Sequence, residues 1–444
     1  MPISPARGAA FDILLRVDRE SSYASDLLHS ANYDHLSNPD HALTTELVMG
    51  VLRWRSRLDR EISTASSQPL SKLDLEILVS LRLALYQMRW LDRIPQRAAL
   101  NESVELVKRA RKRSAAPFVN AVLRKLSREA TSAEAEFEAS GQALADNLAH
   151  PLWLIERWIQ EYGLPTTEKI CRYNQSVPAT SLRLRAPDTV NEFKVAGVEL
   201  GPGSLLASAR RVLSGDVTKT QSFRERRIVI QDEGSQLVAT LVGHGARILD
   251  CCSAPGGKTL AIADHNPEAE ITAVELHPHR ARLMQKLLGQ KASEKIKIVV
   301  NDVCNLGDTG SFDRVLADVP CSGTGTLARN PEIKWRLQAA DLQELHARQV
   351  AILRAATKQV APGGRLIYST CSLEKEENQD VVDEVLSQNK ELRVQDCRAE
   401  LDRLKTSGEL VWRDVDLLTA GPYLRTIPGL HPCDGFFAAL LERS

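Results

Sequence analysis

Between Gly234 and Thr370 the chain repeats one pattern, in which a short apolar run ends in polar or Gly-rich residues and a helical stretch follows. The runs are RILDCCSAPGG, EITAVELHPHR, IKIVVNDV, DRVLADVPCSG and GRLIYSTCS. Strands this apolar are buried on both faces. The alternation therefore predicts a doubly wound α/β domain, with a mostly parallel sheet and helices on either side. FFAALLE near the end of the sequence supplies a last, antiparallel strand.

The first 130 residues read differently. FDILLRVD, LTTELVMGVLRWRSRLDREI, LDLEILVSLRLALYQMRWL, ALNESVELVKRARKR and FVNAVLRKLSRE space their apolar residues by three and four, which predicts an all-α bundle. The polar stretch TSAEAEFEASGQALADN then reads as a linker or exposed helix, and SLRLRAP and RRIVIQDEG as short strands. At 444 residues the chain is too long for one ordinary core, and the expected domains are 1–130, 131–225 and 226–444.

Lys plus Arg and Asp plus Glu balance at 57 each, so no global charge draws the chain to nucleic acid. Residues 1–130 nevertheless hold 20 basic against 15 acidic side chains, including KRARKR at Lys108–Arg113. That run is either a phosphate-facing patch or a solvated helix end. No apolar run is long enough to span a membrane and no signal-peptide pattern is present, which predicts a cytoplasmic protein. The eight cysteines form no CxxC pair and the ten histidines no metal spacing, so reduced thiols and no metal are expected.

In a doubly wound sheet, ligands sit beyond the carboxyl ends of the strands. The first such end, RILDCCSAPGGKT, carries Gly256 and Gly257, where the backbone can turn tightly and approach a ligand at a helix N-terminus. A Walker A loop needs a glycine where Cys252 stands, and the GxGxxG pattern is absent. S-adenosylmethionine is then the candidate ligand. Glu275 lies about twenty residues on, where an acid reaches ribose hydroxyls, and Asp302 ends the third run, where it can accept from an adenine amino group.

Asp318 ends the fourth run and Cys321 follows in the same crevice; Cys371 follows the fifth. Carbon 5 of a pyrimidine is a poor nucleophile, and a thiolate added at carbon 6 turns the ring into an enamine that can take a methyl group. The cycle needs a thiolate, a hydrogen-bond donor near N3 and a base for the carbon-5 proton. Two cysteines and an aspartate at neighbouring strand ends suit these needs. Local chemistry leaves open which thiol attacks.

These residues resemble the RNA cytosine-5 methyltransferases of the RsmB/NOP type. DCCSAPGGKT is similar to the family's cofactor loop, DVPCSGTG to its fourth motif and STCSLEKEEN to its sixth; QDEGSQLV and DGFF also match, so the resemblance covers residues 140–444. LVMGVLRWRSRLD, KLDLEILVSLRLALYQ, ALNESVELVK and FVNAVLRKL resemble the NusB-type helical domain that one branch of the family carries. The fold implied is a NusB-like bundle followed by a Rossmann-like class I S-adenosylmethionine-dependent methyltransferase domain. The resemblance implies cofactor contacts from Cys252, Ser253, Ala254, Pro255, Gly256, Gly257, Lys258, Glu275, Asp302 and Asp318. It makes Cys371 the attacking thiol and Cys321 the thiol that assists product release, with Asp318 steadying the cytosine at N3.

The substrate implied is a looped or unassembled cytosine of 16S ribosomal RNA, modified by a monomer without metal or membrane. Rival readings are a tRNA substrate, a non-catalytic RNA-binding ribosome assembly factor and a P-loop ATPase. Arg329, Lys334, Trp335 and Arg336 are read as RNA contacts or as a charged loop with one buried Trp. Cys251, Cys304, Cys397 and Cys433 read as structural. The chain departs from the family at Cys251 and Ser253, where small residues are usual, at Glu275, commonly Asp, and at Arg185, where Asn is usual.

Overall fold

The computed structural model describes residues 3–20, 22–128, 140–185, 190–307 and 312–444. The chain forms two compact units, Met1–Val177 with Leu327–Arg336, and Pro178–Thr326 with Leu337–Ser444. Residues 131–139 of the expected linker lie outside the described residues, and its end forms a helix at Gly141–Asn147.

The first unit is helical. It contains α1 (Pro5–Glu20), α2 (Asn38–Arg53), α3 (Arg55–Ala65), α4 (Leu75–Trp90), α5 (Gln96–Arg109) and α6 (Ala116–Leu126). The stretch read as one helix over residues 43–62 is divided between α2 and α3 at Trp54 (φ −99°, ψ 12°), whose ring stacks on Trp90 with centroids 5.1 Å apart. Gly50 lets α2 approach α4 closely, since a Cβ there would lie 1.9 Å from Tyr86 Cζ. Within KRARKR, Lys108 pairs with Glu105, Arg109 with Asp12 and Lys112 with Asp74.

Residues 327–336 pack into this helical unit, and of the side chains read either as RNA contacts or as a charged loop, Lys334, Trp335 and Arg336 engage the unit's own backbone. Helix α2 ends with carbonyls that have no intrahelical donor. Trp335 Nε1 donates to Leu52 O (2.6 Å) and the buried Lys334 Nζ to Arg53 O (3.0 Å). Arg336 donates to the carbonyls of Val17 and Ser22, and Glu332 accepts from Ala24 N–H (2.8 Å). These groups satisfy backbone that would otherwise be buried unpaired. Burial pushes the Lys334 amine well below its ordinary value.

The second unit holds two sheets. The smaller has strand order β2–β3–β1–β4, from β1 (Ser181–Leu184), β2 (Glu199–Pro202), β3 (Ala209–Ser214) and β4 (Ile228–Ile230). The larger contains β5 (Arg247–Asp250), β6 (Glu270–Glu275), β7 (Ile296–Val300), β8 (Phe312–Asp318), β9 (Val360–Thr370), β10 (Leu392–Gln395), β11 (Thr419–Ala420), β12 (Tyr423–Arg425) and β13 (Phe437–Arg443). Its order is β11–β12–β13–β9–β8–β5–β6–β7, with β10 on β13. Strands β9, β8, β5, β6 and β7 are parallel, and β13 runs antiparallel to β9 from Phe437↔Thr370 to Glu442↔Arg365, as FFAALLE predicted.

Alternate residues of the parallel strands feed two cores. Ile248, Ile271, Leu316 and Ile367 face one, together with Leu237 of α7 (Glu233–Leu241), Leu260 of α8 (Gly257–His265) and Met284 of α9 (Pro278–Ser293). Leu249, Val274, Val315 and Leu366 face the other, with Leu353 of α10 (Asp341–Gln359) and Val381 of α11 (Gln379–Gln388). Helices on both faces make the sheet doubly wound. The chain leaves β5 toward β6 and β7, then returns to β8 on the opposite side, so the topological switch lies between β5 and β8.

Candidate active site

The sheet's topology gathers the acids named above. Asp302 follows β7, Glu275 ends β6, the glycine loop follows β5, Asp318 ends β8 and Cys371 follows β9, in the order in which those strands lie side by side. At the glycine loop, Gly256 has φ 106°, and a Cβ there would stand 2.8 Å from Met284 Cγ. Both the strain and the contact call for glycine. Ser253 fixes the other side of the loop, its N–H and its hydroxyl each donating to Val274 O at 2.9 Å. This departure from the family pattern has a structural use.

Asp250, at the end of β5, is a site residue that the strand-by-strand reading passed over. It is buried, and Oδ2 accepts from Thr259 Oγ1 (2.6 Å), while Oδ1 is buried with no hydrogen-bond partner. Burial raises its carboxyl to about 7. Asp250 lines a cavity of about 760 Å³ together with Cys252, Pro255, Lys258, Asp318 and Gln231. Glu275 and Asp302 lie outside that lining. Glu275 is buried and accepts from His277 N–H (2.9 Å), and Asp302 Oδ1 accepts from Cys304 N–H (2.9 Å).

Asp318 is bound on both oxygens. Lys258 Nζ donates to Oδ2 and Ser369 Oγ to Oδ1, each at 2.7 Å. Burial alone would lower the Lys258 amine, but Asp318, then Cys371 and Asp250, outweigh it and leave the ammonium favoured. The ammonium also lies over the Phe436 ring at 5.0 Å, which places the DGFF motif at the site. QDEG meets the same motif, since Asp232 Oδ1 accepts from Asp434 N–H at 3.2 Å.

Cys321 Sγ and Cys371 Sγ stand 3.3 Å apart and both are partly accessible. Their loops meet closely: Gly325 N–H donates to Cys371 O (2.9 Å), and a Cβ on Gly325 would stand 2.3 Å from Gly435 O. The hydrogen bond to Cys371, and burial after it, push the Cys321 thiol well up. Burial raises the Cys251 and Cys252 thiols as well, which keeps the glycine loop uncharged at its sulfurs.

A second residue missed in the sequence is Glu377, fully buried within LEKEEN. It accepts hydrogen bonds from groups next to both cysteines. Of the cysteines read as structural, Cys251, Cys397 and Cys433 are buried, whereas Cys304 is exposed, which corrects that reading. Arg185 pairs with Asp264 (2.8 Å), so this departure from the family is engaged within the domain. Among the described residues no cluster of His, Cys, Asp or Glu could hold a metal ion.

Comparison with known proteins shows the family. The family described as 16S rRNA methyltransferase RsmB/F matches residues 240–442, and the NusB family matches residues 4–128. A Bacillus subtilis (strain 168) protein named "Probable ribosomal RNA small subunit methyltransferase B" is 33% identical over 394 residues, covering 86% of this chain and 88% of that protein. The "Ribosomal RNA small subunit methyltransferase B" of Vibrio cholerae serotype O1 is 30% identical over 458 residues, covering 99% and 98%. Among solved structures, "Crystal Structure of PH0851" superposes with a TM-score of 0.82 at 22% identity over 100% of both chains, a likeness of fold. The chain belongs to the ribosomal RNA small subunit methyltransferase B family, with a NusB-family domain ahead of its methyltransferase domain.

Proposed function

We propose that the protein methylates carbon 5 of a cytosine in 16S ribosomal RNA, using S-adenosylmethionine and a covalent cysteine adduct. The observation that carries this reading is the pair of thiols 3.3 Å apart, next to the Lys258–Asp318 ion pair at the sheet's switch point. The sulfonium cofactor supplies an electrophilic methyl group. The residues present suit it: Asp250 Oδ1 is an orphaned buried acceptor for an ammonium, Gly256 leaves room at the loop, and Glu275 and Asp302 stand at the next strand ends for ribose and adenine.

The chain's own groups divide the work. Cys371 adds to carbon 6, and the ring electrons, moved to carbon 5, take the methyl group. Asp318, held as a carboxylate by Lys258 and Ser369, is placed to accept from N3–H of a cytosine that takes a proton from solvent at N3 as the thiolate adds, which steadies the ring. Cys321 begins as a thiol, its ionisation opposed by its hydrogen bond with Cys371 and by burial. Once Cys371 Sγ is bonded to carbon it can carry no negative charge beside Cys321, which then loses its proton more readily. Cys321 then serves the removal of the carbon-5 proton, after which the C6–S bond breaks and Cys371 leaves as a thiolate.

Methyl incorporation into 16S RNA and tRNA from a strain lacking the gene, followed by bisulfite mapping, tests the reading. Incorporation at one 16S cytosine is expected; incorporation into tRNA alone overturns the substrate.

Asp250 gives the cofactor step a pH signature. A carboxyl at about 7 must ionise to meet an ammonium, so cofactor affinity is expected to rise with pH through 7. The gain is roughly tenfold between pH 6 and pH 8, from the fraction ionised. Titration calorimetry should show that slope, and Asp250→Asn should flatten it while weakening binding.

A further inference from the structure

Glu377 sits in a helical turn at Lys375–Glu377, within a run of four acids in seven residues, a composition usual on solvated surface. It is instead 0% exposed, and its carboxylate is ringed by donors. Ser322 N–H donates to Oε1 at 2.8 Å and Gln349 Nε2 to the same oxygen at 2.8 Å; the hydroxyls of Ser322 and Ser372 donate to Oε2, the latter at 2.5 Å. Ser322 directly follows Cys321, and Ser372 directly follows Cys371. Gln349 also donates to Pro320 O (2.9 Å), the residue before Cys321.

The turn itself is pinned from behind. Tyr368 OH donates to Glu377 O (2.6 Å), and Asn378 accepts from Thr370 Oγ1 (2.6 Å) while donating to Ser372 O (3.0 Å). A buried carboxylate is costly unless its lone pairs are filled, and here every donor that fills them belongs to, or directly braces, one of the two cysteine loops. Charge-assisted bonds of this kind are short and directional, so they set a distance.

We propose that Glu377 is a positioning residue that sets the separation and facing of Cys321 and Cys371, and through it the release of methylated product. The inference rests on the two-thiol reading above. Attack needs only Cys371. Release needs both thiols in register, so loosening the clamp slows release more than attack.

The test compares Glu377→Ala, Glu377→Gln and Cys321→Ala in the full-length protein, with two readouts. The first is covalent protein–RNA adduct on denaturing gels with 16S RNA and cofactor. The second needs no catalysis: diamide oxidises two thiols to a disulfide and is itself reduced to the hydrazine, and mass spectrometry of the Cys321–Cys371 peptide pair gives the coupling rate. Glu377→Ala is expected to accumulate adduct and to couple its thiols ten- to about a hundredfold more slowly, the penalty for a misplacement near 1 Å. Glu377→Gln should stay within about threefold of the parent, because its amide oxygen still accepts while both hydroxyls turn to accept from its NH2.

If Glu377→Ala does not fold, Ser322→Ala with Ser372→Ala removes both hydroxyl donors and should show the same adduct accumulation and slower coupling. Coupling at the parental rate in the alanine variant, or equal impairment by alanine and glutamine, overturns the clamp. Failure of Cys321→Ala to accumulate adduct overturns the release role itself, while the diamide rate still decides the geometry.

Discussion

Cys371→Ala is expected to abolish methyl transfer and leave no RNA bound through denaturation, whereas Cys321→Ala should hold the protein on RNA as a covalent adduct. The two sulfurs are only 3.3 Å apart, so the contrast is a demanding one. Their surroundings differ. Cys321 is pushed well up by its hydrogen bond with Cys371 and by burial, which disfavours its thiolate. On the mechanism proposed above, attack falls to Cys371. Losing an attacking group typically costs about 10⁴-fold or more in turnover, and filter binding of labelled methyl groups would read that loss. Losing the release thiol instead stalls the cycle after the methyl group has moved, which a mobility shift on a denaturing gel would show. Accumulation of adduct by Cys371→Ala would exchange the two roles.

What the sequence exposed followed from periodicity. Each parallel strand is apolar because both its faces are covered, so the residue at which the run stops marks the sheet's carboxyl edge; Glu275, Asp302, Asp318 and Cys371 were legible for that reason. Asp250 occupies the equivalent place on β5 but is followed at once by two cysteines and a glycine loop, which drew the reading past it. Strands β2 and β3 were not read, since ELGP and ARRVLS carry Gly, Pro and paired arginines in place of an apolar alternation.

Long-range partners were the hidden part. In ARNPEIKWR, Lys334 and Trp335 have the composition of an RNA-facing loop, yet they serve the carbonyls of Arg53 and Leu52, more than two hundred residues away in sequence. Glu377 stands among acids that look solvated, and its four donors come from positions 322, 349 and 372. Neither pairing has a local signature, because burial of a charge depends on which distant loop covers it.

Asp318→Ala should be the most damaging change outside the thiols. It removes the acceptor of both Lys258 Nζ and Ser369 Oγ at the point where β8 meets the crevice. Lys258 keeps its ammonium because Asp318, with Cys371 and Asp250, outweighs burial; without that carboxylate only the smaller effects of Cys371 and Asp250 oppose burial, and the amine becomes easier to deprotonate. Two effects should then separate. Leaving a charge largely buried and unpaired costs up to about 3 kcal/mol, with water reaching both partners in part. Losing the group that steadies the ring costs 10²- to about 10⁴-fold in turnover. Adding Lys258→Met removes the orphaned amine and should recover most of the melting temperature. It should not recover turnover. A double variant regaining activity along with stability would make Asp318 a structural partner of Lys258 and leave the cytosine's N3 to another residue.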